Sequence, residues 1–170
     1  MTARCVLLLG TSKGAFILDG DAHRADWRIR GPLCEGWPVH DVSVDPVSGA
    51  LLAAAGSPWF GPAVWRSEDL GETWTHSSEG LTYGDDGPKV TSVWNVVGGI
   101  DALYAGVEPA GLFRSTDGGR SWQHVEGLTN HPSRPEWGPG AGGLILHTII
   151  PHPTDASRMW VGISAVGVFE

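Results

Sequence analysis

One recurrence limits the folds open to this chain more than any other feature. RSEDLGETW at residues 66–74 and RSTDGGRSW at 114–122 share the pattern Arg-Ser-x-Asp-x-Gly-x-Thr/Ser-Trp, 48 positions apart. Their surroundings recur as well. An apolar run ending in small residues comes first, ALLAAAG (50–56) or ALYAGV (102–107), with counterparts VLLLGTS (6–12) and MWVGIS (159–164). A Gly-containing turn follows, then a short segment closing on an aromatic: Phe16, Trp65, Phe113 or Phe169. Ahead of the later runs stands a further segment: VHDVSVDP (39–46), VWNVVGG (93–99) or LHTIIPHP (146–153). The first of these alternates apolar and polar residues, as a strand with two unlike faces does.

Each unit therefore reads as four short strands, A to D. Composition agrees: 25 Gly, 12 Pro and 9 Trp in 170 residues favour tight turns, and no sustained i, i+3, i+4, i+7 stripe marks a long helix. A four-stranded module at this period is the blade of an all-β propeller. The units divide as 1–31 (partial), 32–80, 81–128 and 129–170 (partial), about three and a half antiparallel blades. The expectation is an incomplete propeller region, part of a larger ring for which seven blades is one closure.

The nonapeptide has a structural explanation as the C–D hairpin turn. Asp69 and Asp117 accept backbone N–H groups as in Asx turns, and Ser67 and Ser115 do so more weakly. Gly71 and Gly119 admit positive φ. Trp74 and Trp122 bury a ring against the next unit and leave an indole N–H to find a carbonyl. These eight residues are expected to hold the fold rather than to do chemistry.

Ser-x-Asp-x-Gly-x-Thr/Ser-Trp, present in full twice and in matching frame, resembles the Asp-box of the BNR-repeat β-propellers. That group includes sialidases, xyloglucanase-type glycoside hydrolases, sortilin-like receptors and photosystem assembly factors, so the resemblance implies a fold and leaves function to the site. The first unit departs from the pattern: FILDGDAHRADW keeps Phe16, Gly20 and Trp27 but lacks the Ser-x-Asp pair. WRIRGP (27–32) is the nearest text to the sialidase Phe-Arg-Ile-Pro and lacks its proline.

Propeller topology puts the C–D turns on one face and the D–A and B–C loops on the other, at the channel mouth. His40 lies six residues before Pro46 and His147 six before Pro153, with Trp94 in the same slot between them. All three begin strand A, and Asp41 and Asn95 follow two of them directly. With Lys13, Trp59 and Arg134 from the loops they make the candidate ligand-binding set. A histidine in this slot caps its strand, contacts ligand, or serves as acid, base or metal ligand. Two of three equivalent slots is a poor metal count, so no metal and no cofactor is expected.

Two functions stay open. A glycoside hydrolase needs two carboxylates about 5–9.5 Å apart; Asp41, Glu108 and Glu136 are the candidates in these loops, and nothing in their spacing selects a pair. A non-catalytic propeller would instead use the same face to hold a glycan, a small molecule or a protein partner. The net charge of −8 argues against nucleic acid or an acidic membrane surface. The apolar run Cys5–Leu9 is too short for a membrane span or signal core, so unless a leader has been removed a cytoplasmic location is the expectation.

Overall fold

The computed structural model describes residues 5–170. Fourteen strands form four antiparallel sheets, each from a contiguous stretch of chain and with strands adjacent in sequence order. Sheet one holds β1 (Cys5–Thr11), β2 (Gly14–Gly20) and β3 (Trp27–Leu33). Sheet two holds β4 (Val39–Val44), β5 (Leu51–Ser57), β6 (Gly61–Ser67) and β7 (Thr75–Ser77). Sheet three holds β8 (Ser92–Gly98), β9 (Leu103–Glu108), β10 (Gly111–Ser115) and β11 (Gln123–His124). Sheet four holds β12 (Leu146–Pro151), β13 (Met159–Ile163) and β14 (Gly167–Phe169). Among the described residues helix is confined to short pieces in the connections, the longest being α1 (Glu126–Thr129).

The sheets pack on one another in chain order. β1 lies beside β4, β4 and β5 beside β8, and β8 and β9 beside β12. A strand covered on both faces needs no polar alternation. That is why Leu52, Ala53, Ala54 and Ala55 of β5 are all fully buried and read as one apolar run. The glycines in these strands have a further cause, since consecutive sheets touch backbone to backbone. A Cβ on Gly10 would stand 2.7 Å from the Val39 carbonyl oxygen, one on Gly56 2.8 Å from Ser92 Cα, and one on Gly106 2.5 Å from the Leu146 carbonyl oxygen. Three apolar clusters fill the junctions: around Ala15, Ala53 and Trp65; around Leu52, Val93, Phe113 and Trp122; and around Leu112, Leu146 and Val161. Each fully buried large side chain among them contributes about 1.5–3 kcal/mol.

The two nonapeptides are the β6–β7 and β10–β11 turns. In the first, the Ser67 hydroxyl donates to Asp69 Oδ1 (2.7 Å) and accepts the Gly71 N–H (2.8 Å). Asp69 also accepts the Thr73 N–H (2.9 Å) and hydroxyl (2.6 Å). In the second, Ser115 bridges Asp117 and the Gly119 N–H in the same way, and Asp117 accepts from Arg120 N–H, Ser121 N–H and the Ser121 hydroxyl. Gly71 and Gly119 have φ of 89° and 86°, where a side chain is disfavoured. The first sheet's turn keeps a reduced form of this network, which its sequence conceals. Asp21 accepts the Ala25 N–H, and Trp27 Nε1 donates to the Arg24 carbonyl just as Trp74 Nε1 donates to that of Gly71.

Two details differ from the sequence expectation. The tryptophan turns pack against the preceding sheet, not the next one. A Cβ on Gly71 would meet Ile17 Cδ1 of β2 at 2.4 Å, and the Trp122 N–H donates to the Glu79 carbonyl at the end of the second unit. In addition, the Trp122 indole N–H is buried without a partner, because its ring sits wholly among apolar side chains.

These bonds make acid a specific threat to the turns. The Thr73 hydroxyl and N–H, then Ser67, hold the Asp69 carboxyl down at about 2, from an ordinary 3.8; the Ser121 hydroxyl and N–H hold Asp117 lower still. A carboxyl depressed in the folded state contributes stability above its unfolded value and loses it as pH falls through the folded one. The stability gap between the wild type and an Asp69→Asn/Asp117→Asn variant should therefore be widest above pH ~4 and shrink towards pH ~2 in urea titrations.

Candidate functional site

The first strands of sheets two, three and four share a defect. In β4, Val39 pairs with Ala55 and Asp41 with Ala54, leaving His40 as an extra residue. In β8, Val93 pairs with Val107 and Asn95 with Gly106, leaving Trp94. In β12, Leu146 pairs with Ile163 and Thr148 with Gly162, leaving His147. A β-bulge re-aims the side chain of its extra residue. The three residues singled out by spacing are thus the three bulged residues.

Two of the three meet. The His40 and Trp94 rings stack with centroids 4.1 Å apart and planes 17° from parallel. His40 Nε2 donates to the Gly56 carbonyl at 3.1 Å, which leaves Nδ1 as the acceptor of the neutral ring. Burial lowers the His40 pKa, against the opposing pull of the Gly56 carbonyl and the Glu108 carboxylate. Trp94 Nε1 donates to Glu108 Oε2 at 3.1 Å. The other carboxylate oxygen lies against the long β11–β12 connection, where a Cβ on Gly143 would approach it to 2.4 Å. An aromatic stack with a carboxylate at one end thus stands between the ends of β5 and β9 and the β11–β12 connection. His147 is exposed, bonds Thr148 Oγ1 through Nδ1 (2.8 Å), and stacks on no ring among the described residues.

Asp41 and Asn95 tie the sheets together. Asp41 Oδ2 accepts from Asn95 Nδ2 (2.8 Å) and from the Val96 N–H (3.2 Å), across the junction of sheets two and three. Burial raises the Asp41 pKa and these donors oppose the rise. Asn95 Oδ1 is buried with no hydrogen-bond partner.

The remaining candidates lie on separate loops. Lys13 is exposed on the β1–β2 turn. Trp59 is 93% exposed on the β5–β6 turn, and its neighbour Phe60 stacks on Trp37 at 4.9 Å. Arg134 is committed within the protein: Nη1 donates to the Ala110 carbonyl of the β9–β10 turn (2.8 Å) and the guanidinium lies 4.8 Å over the Trp137 ring. Glu136 is exposed on a 3-10 turn, Arg134–Glu136. The structure therefore joins His40, Trp94 and Glu108, with Asp41 and Asn95 immediately behind, and leaves Lys13, Trp59, Glu136 and His147 outside that stack. Among the described residues no three His, Cys, Asp or Glu side chains gather as a metal site, and no helix is long and apolar enough to cross a membrane. The Cys34 thiol is pushed up to about 12 by burial, despite an opposing backbone bond at Ala15.

No protein-family model matches the sequence, and a search of curated proteins returns no match. Function must therefore be argued from this geometry.

Sequence reasoning missed the pairing of Glu108 with Trp94, since the partners sit on different strands 14 residues apart. It also missed Arg30, which reaches from β3 to the 66–74 turn through Leu70 and Glu72.

Proposed function

We propose that this chain is an Asp-box β-propeller region of the BNR-repeat kind. In this reading it binds a small polar ligand or glycan at the end of the sheets where the bulged strands begin. The observation that carries it is the repetition of one bulge in three successive sheets, with a histidine or tryptophan in each. A flat stack ending in a carboxylate suits a ring that carries hydroxyl groups: the aromatic face takes C–H surface and Glu108 accepts O–H donors. Binding without turnover is favoured because Asp41 is spent on Asn95 and Val96 while Glu108 already accepts from Trp94.

The test is titration of the full chain with neutral and acidic mono- and disaccharides, followed by tryptophan fluorescence, beside an assay with fluorogenic glycosides. Trp94→Ala should weaken binding at least ~10-fold, the loss of about 1.4 kcal/mol of stacking and hydrogen bonding. Unchanged affinity in both Trp94→Ala and His40→Ala would remove the site, and glycoside release abolished by Glu108→Gln would convert the reading to an enzyme. The exposure of Trp59 supports a second reading, a scaffold that docks a protein through this loop. Trp59→Ala would then remove the partner and leave sugar affinity unchanged.

A further inference from the structure

The two tryptophan turns meet the sheet before them with opposite charge. At the first junction Arg30 of β3 fills the space beside the turn: Nη2 donates to the Leu70 carbonyl (2.8 Å) and Nη1 to Glu72 Oε1 (2.9 Å). At the second junction the last strand of the preceding sheet supplies Ser77 in that place, whose hydroxyl donates to the Arg120 carbonyl (2.6 Å). In the aligned nonapeptides Arg120 stands where the first turn has Glu72. The cation has become a small hydroxyl, and the anion has become a cation.

A cleft of about 630 Å³ opens there, lined by Arg66, His76, Ser77 and the Gly118–Arg120 segment. Its formal charges are Arg66, Arg120 and Glu68, a balance of one positive charge on a chain of net −8. Both arginines have donor capacity the protein leaves unused. Arg66 Nη1 meets Glu68, but its buried Nε has no acceptor. The guanidinium lies beneath Gly118, where a Cβ would be only 3.8 Å from Cζ. Arg120 spends one nitrogen on its own turn, at the Asp117 carbonyl (3.2 Å). The cleft sits at the Ser67 end of β6, whereas the His40–Trp94 stack lies towards the Gly61 end.

We propose that this cleft binds a small oxyanion (a carboxylate, sulfate or phosphate group) between Arg66 and Arg120. The anion supplies the counter-charge that Glu72 gives Arg30 at the first junction. Arginine suits such a group because its planar fork matches oxyanion geometry and the bonds are charge-assisted. An open cleft keeps the bound ion's remaining oxygens in water, so desolvation costs little.

The experiment follows the arginine Nε–H resonances and the melting temperature of the full chain against sodium sulfate, sodium phosphate and sodium acetate, with sodium chloride at matched ionic strength. Expected is a saturable shift, absent in chloride, with at least one of the three. Acetate alone would identify a carboxylate group as the source, and sulfate or phosphate alone a free inorganic ion. Arg120→Glu, which restores the acid of the first turn, should weaken binding at least tenfold. Ser77→Arg should block it by filling the space as Arg30 does, while Trp94→Ala leaves it unchanged. A response equal to that of chloride, or one that survives both Arg120→Glu and Ser77→Arg, would overturn the proposal.

Discussion

Truncating Trp122 to alanine is expected to cost about 3–5 kcal/mol of folding stability, the range for removing a large buried aromatic. The ring is 3% exposed and sits in the cluster shared by sheets two and three, with Val64, Leu81, Leu103 and Phe113. Its loss opens a cavity bounded by strands already held by hydrogen bonds, so little of the space can collapse. Trp122→Phe should cost clearly less. It keeps most of the apolar contact and removes the unpartnered indole N–H, whose burial is itself unfavourable. Trp74→Ala should also cost less than Trp122→Ala, since that ring is only half-buried. Urea denaturation of the three variants, read at constant m-value, gives the order. A Trp122→Ala loss no greater than that of Trp74→Ala would mean the ring does not join the sheets as described.

Gly106→Ala is expected to cost about 1–3 kcal/mol, although it adds a single methyl group to a buried strand. That methyl would stand 2.4 Å from Leu146 Cδ2 and 2.5 Å from the Leu146 carbonyl oxygen. The side chain can turn away, but the carbonyl cannot move without shifting β12 off β9. Gly138→Ala, on an exposed loop with nothing within 4 Å of the added carbon, is the control and should change stability by under ~0.5 kcal/mol. If the two variants melt together, the close approach of sheets three and four is wrong.

The strand content of the fold was legible because it is written as repetition. Apolar runs, glycine turns and the nonapeptides each mark one strand or hairpin, and the resulting sheets contain those segments. Pairwise facts were less accessible. The slot shared by His40, Trp94 and His147 was visible in its spacing from Pro46 and Pro153, but the bulge that gives the slot meaning depends on the partner strand's register. Two rings then stacked while the third faced water, a difference set by what lies on the next sheet. Likewise Asp41 read as a candidate catalytic carboxylate until the neighbouring sheet supplied Asn95 and the Val96 N–H. Arg134 read as a ligand-binding candidate until the β9–β10 turn supplied the Ala110 carbonyl and its own loop the Trp137 ring.

That both nonapeptide turns clasp the sheet behind them gives assembly a direction. A nascent chain leaving the ribosome always has the receiving surface finished before the clasp that needs it is made. Truncation from the front would strand a clasp with nothing to hold, whereas truncation from the back would leave every earlier junction complete.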